Sequence, residues 1–305
     1  MNKETEEKQQ LLQAPSPAGV VVSRKSALIW LIPSTIIVLA FLIAPAIWTL
    51  ILGLTNYRLT GVEAASPQFV GLENFTNALT DPDFLNSIRV TVLFVLGSAV
   101  FGQALLGFLI AWTIRDLAPK YRSAIELVVI LAWIIPSSVV TFLWIAMLNG
   151  PEGTLNTILG IDTEWFLEYP LLSIIVFNIW RGTAFSMLLS SAALASVPPS
   201  FLQTARLAGA SNWQILRDVV LPSIKGYLIT NLLLITLWTF NDFTPFLLTG
   251  GGPGGKTETV PVFIYQEALR FLELGYGSAI AAIALAINFV IAMFYLRSSR
   301  KNAAS

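Results

Sequence analysis

The chain has 305 residues, 55% of them hydrophobic and only 12% charged, with 18 Lys and Arg balanced by 18 Asp and Glu. That composition lies far from the balance of a soluble globular domain and points to an integral membrane protein. With no Cys and no His anywhere, disulfides, thiolate nucleophiles and imidazole metal ligands are excluded, and many catalytic mechanisms go with them.

The first residues, 1–26, are polar, contain Pro and lack a cleavable signal pattern, so they read as a flexible cytoplasmic tail before an uncleaved anchor helix. A helix needs about 20 apolar residues to cross a hydrocarbon core about 30 Å thick. Six such runs follow, at 27–54, 90–114, 124–148, 170–195, 226–249 and 277–297, and residues 298–305 form a second tail. The predicted fold is all-α, a polytopic membrane protein with six transmembrane helices over 27–297. Its polar segments and long runs are unlike the short alternating strands of an outer-membrane barrel.

Span one carries Pro33 and Pro45, which predict a kinked or irregular helix. Between spans one and two, Gly71, Leu72, Asn74, Phe75, Asp81 and Pro82 mark a short amphipathic stretch at the outer surface. Gly97, Gly102 and Gly107 in span two permit close helix contact. Trp30, Trp112, Trp133 and Trp144 are assigned to interfacial belts or lipid-facing packing.

Arg181 in span four and Asp242 in span five stand inside apolar runs, where each costs about 2.5–3.5 kcal/mol on insertion scales. Asn178 shares the helical face of Arg181, and Trp238 and Asn241 gather beside Asp242. Aromatic faces with amide and charged groups suit a polyhydroxylated solute, so these five residues are candidates for a translocation path. The other reading is an interhelical ion pair or side chains snorkelling to an interface.

The segment 203–222, QTARLAGASNWQILRDVVLP, is polar and Gly-punctuated between two apolar runs. Ser200 with Gln203, and Ser211 with Gln214, have capping-box spacing, so two short helices are expected. Gly209 should end the first and Pro222 should block the second. Ala205, Ala208 and Ala210 keep the turn small, and Trp213, Leu216 and Val220 are expected on one helical face. This looks like a docking surface. Beyond span five, residues 250–257 (GGGPGGKT) satisfy the phosphate-loop pattern letter for letter. That pattern needs a preceding strand in an α/β domain, so a flexible turn or gate is the expected role.

Charge bias sets the orientation. The amino-terminal tail, the 115–123 and 203–225 loops and the carboxy-terminal tail hold 13 of the 18 Lys and Arg, whereas the opposite loops hold 11 of the 18 acids. By the positive-inside rule both termini and the 203–222 segment are cytoplasmic.

Together these residues resemble the membrane subunits of binding-protein-dependent ABC importers, in the carbohydrate branch related to maltose and glycerol-phosphate permeases. The family's cytoplasmic signature runs E-A-A, three residues, G, nine residues, I, one residue, L-P. Gln203, Ala205, Gly209, Leu221 and Pro222 keep that spacing, with Val219 for the Ile. Gln203 replaces Glu, Thr204 replaces Ala, and Ala208 stands where many members carry Asp, which removes any ion pair made there. A second match is Leu248-Thr249-Gly250-Gly251-Gly252-Pro253 with Tyr265 and Gly275-Tyr276-Gly277-Ser278-Ala279, similar to the outer loop and sixth-helix entry of the larger permease subunit. The stretch Val70-Gly71-Leu72-Glu73-Asn74-Phe75 matches as well, so the likeness covers residues 28–297.

The resemblance implies a subunit of the bacterial or archaeal cytoplasmic (inner) membrane that is not itself an enzyme. A second permease subunit, a cytoplasmic ATPase dimer and an extracellular or periplasmic solute-binding protein are its implied partners, with lipid around it and no nucleic acid. ATP and Mg would bind the ATPases, leaving this chain without a cofactor or metal. Coupling helices lie between spans four and five, in a loop at 200–224. Gln203, Ala205, Gly209, Ala210, Trp213, Leu221 and Pro222 would dock an ATPase, and the solute would be a di- or oligosaccharide, or a sugar or polyol phosphate. A stand-alone secondary transporter or channel is the alternative, but one intramembrane Asp and no His offer little for an ion relay. A membrane enzyme finds no paired carboxylates or activated nucleophile.

Overall fold

The structure is a computed structural model that describes residues 24–303. Within these, residues 24–48 and 49–303 fall in separate compact units. Most of the tail expected over 1–26 lies outside the described residues, and the chain is helical from Arg24. The last helix continues to Ala303, so most of the expected carboxy-terminal tail is helical too.

The helices that carry the spans and the candidate sites are numbered in chain order. They are α1 (Trp30–Gly53), α2 (Pro82–Ile114), α3 (Pro119–Ile134), α4 (Ser137–Leu148), α5 (Pro170–Ala195), α6 (Pro199–Leu207), α7 (Asn212–Phe240), α8 (Thr244–Thr249) and α9 (Leu274–Ala303). Among the described residues five helices are long and apolar enough to cross a membrane, and the bent pair α3 and α4 makes six. The only β pairing among them is the isolated bridge between Thr55 and Phe69. Span one is irregular as expected, with a wide π-type turn at Leu39–Ile43 just before Pro45.

Span two begins at Pro82, eight residues earlier than expected, and two further spans differ in form. Span three is two helices meeting at a bend of 96°. Pro136 donates no N–H and bars the helical conformation at Ile135, and both residues are extended, with ψ of 134° and 136°. Span five starts 14 residues earlier than expected, at Asn212, and stops at Phe240. Pro245 lacks the N–H that would bond the Asn241 carbonyl, and Asp242 Oδ1 accepts from the Thr244 N–H at 3.0 Å to start α8.

α5 is the hub, packed against α2, α3 and α7. The α2 glycines face it: a Cβ on Gly97 would meet Ile175, one on Gly102 would meet Ile179, and one on Gly107 would meet Ser186 and Met187. Polar side chains tie the same helices. Asn178 donates to Ser98 Oγ at 2.7 Å, Gln103 Nε2 donates to the Asn178 carbonyl at 3.1 Å, and Asn231 Nδ2 donates to Ser186 Oγ at 3.1 Å. All five are buried, so these hydrogen bonds hold polar groups that hydrocarbon would penalise.

At the end carrying the 250–275 loop, side chains lock distant segments together. Asp81 starts α2, with Oδ1 accepting from the Asp83 N–H at 2.9 Å, and its Oδ2 accepts from the Tyr276 hydroxyl at 2.6 Å. Asn74 caps the end of α1 by donating to the Gly53 and Thr55 carbonyls, and Arg58 pairs with Glu273 at 2.8 Å. Glu267 sits half-buried here. Burial first, then the carboxylates of Glu273, Asp81, Glu258 and Asp83, push it up to about 7. The folded chain thus keeps a proton that the unfolded chain releases near pH 4.5, and the associated stability is lost as pH rises through 7. The thermal midpoint should be higher at about pH 5.5 than at about pH 8, and Glu267→Gln should flatten that difference. Matching pH profiles for the variant and the parent in thermal melts would contradict it.

Candidate functional site

The breaks in spans three and five meet Arg181. Its Nη2 donates to Ser137 Oγ, the first residue of α4, at 2.5 Å, and its Nη1 donates to Thr244 Oγ1, the first residue of α8, at 3.2 Å. Thr244 Oγ1 in turn donates to Asp242 Oδ1 at 2.5 Å. The two membrane charges therefore communicate through a hydroxyl instead of forming a direct ion pair. Arg181 Nε is buried and has no hydrogen-bond partner, which leaves one charged donor free.

An open vestibule of about 670 Å³ is lined by Ser137, Arg181, Trp238, Asn241, Asp242 and Thr244. Next to it a cavity of about 30 Å³, room for little more than a water, is lined by Gln103, Trp133, Asn178, Phe185, Thr239 and again Arg181, Trp238 and Asp242. Three of the five candidates thus stand at the junction of a wide space and a constriction. Asn178 reaches only the constriction, with its amide donating to Ser98 and Thr239. Asn241 reaches only the vestibule and is paired with Asn288 of α9 at 3.1 Å.

The aromatic assignment changes at two positions. Trp133 packs against Trp238 and Phe185, with centroids 6.0 and 5.8 Å away, in the constriction wall and not in a lipid-facing belt. Trp144 is buried against Phe177 and Trp180 at 5.4 and 5.7 Å. Gln103, an amide inside an apolar run, was a legible signal that the sequence reading passed over. Ser137 and Thr244 carried none until the helix breaks placed them.

The segment 203–222 forms a second candidate site at the opposite end. Gly209 has φ of +78°, and it closes α6 in a Schellman turn: its N–H bonds the Arg206 carbonyl and the Ala210 N–H bonds the Ala205 carbonyl, both at 3.0 Å. The Ser211 and Gln214 capping box forms, with bonds of 3.3 and 2.7 Å. The Ser200 and Gln203 box does not, because α6 begins at Pro199 and leaves Ser200 inside the first turn. Pro222 does not end the second helix. A wide π-type turn over Ile215–Val220 absorbs its missing donor, and α7 runs on. That turn also splits the expected face, since Trp213 is exposed while Val220 is buried.

Ile215, Val220 and Ile224 anchor the segment on Ala193 and Val197 of the bundle. Gln203, Gly209, Trp213 and Pro222 remain exposed, and Ala205, Ala210 and Leu221 are half-buried behind them. At the other end, residues 250–257 follow the helix α8, and the Thr257 hydroxyl is buried against Thr249 Oγ1 at 2.6 Å. A phosphate-binding Thr would instead face out.

The family described as binding-protein-dependent transport system inner membrane component matches residues 103–303. The chain belongs to this family. The matched region holds every candidate residue of both sites. Among curated relatives of this permease, the trehalose/maltose transport system permease protein MalF of Thermococcus litoralis is 29% identical, over 90% of this chain and 94% of its own length. The sulfoquinovosyl glycerol transport system permease protein SmoG of Agrobacterium fabrum is 27% identical over 91% of each chain. The inner membrane ABC transporter permease protein YcjO of Escherichia coli is 32% identical over 73% of this chain and 77% of its own. The fold matches a chain of a bacterial alginate ABC transporter, solved with an alginate pentasaccharide-bound periplasmic protein. That match has a TM-score of 0.74 at 20% identity, covering 98% of this chain and 96% of the other. The permease is thus a multi-pass membrane subunit of a transport system.

Proposed function

We propose that this permease forms half of a sugar translocation pathway, completed by a second permease subunit, fed by a solute-binding protein and driven by a cytoplasmic ATPase dimer. ATP and Mg bind in those ATPases, and this chain carries no cofactor of its own. Both termini and the α6–α7 turn lie on the cytoplasmic side, where the exposed face of Gln203, Gly209, Trp213 and Pro222 enters a cleft on one ATPase.

One observation carries the coupling role. α7 runs unbroken from Asn212 beside the turn to Phe240, a length of about 40 Å at 1.5 Å per residue, and ends where Trp238, Asn241 and Asp242 line the vestibule. A push on the turn is therefore delivered by a rigid rod to the pathway wall. In the vestibule the exposed Trp238 offers a stacking face, and Arg181, Asn241 and Asp242 offer polar and charged groups, to a hydroxylated ring. The sugar-named relatives support the same solute class.

Gly209→Val tests it. A β-branched residue cannot hold φ of +78° without strain, and no atom lies within 4 Å of the added Cβ to obstruct it sterically, so the defect is confined to the turn. In proteoliposomes with the partner subunits, substrate-stimulated ATP hydrolysis should fall by roughly tenfold, about 1.4 kcal/mol of coupling, while the variant still inserts and elutes as the parent does. Undiminished stimulation would contradict the coupling role, and solute uptake by the chain alone would favour a self-contained transporter.

A further inference from the structure

Where α2 and α5 emerge at the end carrying the 250–275 loop, a groove of about 360 Å³ runs between them. Its rim is polar and its wall apolar, and the change falls at one level on both helices. The apolar run of α2 starts right after Arg89, and that of α5 starts right after Tyr169 and Pro170. Below that level Leu93 and Leu172 line the groove and stay 43% and 52% exposed, on surfaces that a membrane would cover.

The rim carries two exposed cations, Arg89 and Lys256, and neither pairs with a carboxylate among the described residues. Glu168 also lines the groove, its Oε1 accepting from the Glu164 N–H at 3.1 Å, and two cations against this one carboxylate leave the rim net positive. Lys256 is held there because Asn86 Nδ2 donates to the Gly255 carbonyl at 3.1 Å. It is the Lys of the phosphate-loop look-alike, whose Thr257 turns inward. A cationic rim directly above an apolar slot matches an amphiphile standing in the membrane, and a small soluble anion would leave the slot unused.

We propose that this groove binds one anionic phospholipid, its phosphate between Arg89 and Lys256 and an acyl chain along Leu93 and Leu172. The proposal is independent of the transported solute and of the coupling turn. Native mass spectrometry of the detergent-purified full chain, titrated with phosphatidylglycerol or with phosphatidylcholine of the same acyl chains, tests it. Phosphatidylglycerol should be retained roughly tenfold to thirtyfold better, the upper figure being that of two cations at a membrane surface. The Arg89→Gln, Lys256→Gln double variant should lose that preference. Leu172→Trp, which fills the slot and leaves both cations, should lower retention of both lipids.

Both variants are exposed substitutions, and unchanged elution confirms that they fold. Equal retention of the two lipids, a preference that survives the double variant, or full displacement by millimolar glycerol phosphate would overturn the proposal, the last by making this a site for free anions. Photocrosslinking from position 93 in the assembled transporter to a protein chain, and not to lipid, would overturn it as well.

Discussion

Gly107→Leu should leave almost no correctly folded protein. A Cβ at this position would lie 2.6 Å from the Met187 backbone nitrogen and 2.7 Å from the Ser186 carbonyl carbon, atoms of a helix that cannot rotate away as a side chain can. Relief requires α2 and α5 to separate, and Ser186 and Met187 are fully buried, with Ser186 bonded to Asn231 of α7. One extra methylene in a packed core costs about 1–3 kcal/mol, so a Leu forced against backbone should cost about 4 kcal/mol or more, an exceptional value with a named cause. The readout is the monodisperse fraction on gel filtration and the thermal midpoint of whatever survives. Gly226→Ala is the control. No atom lies within 4 Å of its added Cβ, so it should be neutral or stabilise α7 by up to about 1 kcal/mol. If Gly107→Leu accumulates and melts like the parent, the α2–α5 contact is not formed as described.

The same glycines show what a sequence discloses. Helix length, apolar runs and small residues at close contacts are local or nearly local properties, and Gly97, Gly102 and Gly107 did mark the tight side of span two. The Gly209 turn was equally legible, because a C-capping glycine and the Ser211 to Gln214 spacing act within a few residues. Pro136 and Pro245 were visible as well, yet whether a membrane proline kinks a helix, breaks it or is absorbed depends on its neighbours. Pro136 broke its helix by 96°, whereas Pro222 was absorbed by a π-type turn. Those outcomes brought Ser137 and Thr244 onto Arg181, and Trp133 lies in the wall of the constriction and not in the expected lipid-facing position. The candidate pathway was therefore readable as a set of residue types and unreadable as a geometry. Which atoms Arg181 touches depends on two helix breaks that lie 44 and 63 residues from it in sequence.

Those contacts make Arg181 and Asp242 the sharpest test of the pathway. Arg181→Gln should cost about 2 kcal/mol of stability, because the Asp242 charge then loses its relay through Thr244 inside the membrane region. Asp242→Asn should cost a similar amount by leaving Arg181 uncompensated. The double variant should recover most of the loss, since two neutral amides can be accommodated where one lone charge cannot. Transport should behave differently. Both residues line the vestibule and the constriction, so all three variants should cut ATP-driven uptake by roughly tenfold or more. Thermal midpoints and uptake in proteoliposomes, measured over the full cycle, separate the two roles. Uptake that returns together with stability in the double variant would reduce the pair to an interhelical tie, and the pathway would have to run elsewhere. Stability that returns without uptake leaves only a contact with the moving solute to explain the loss, because the tie between α5 and the α7–α8 break would already have been replaced.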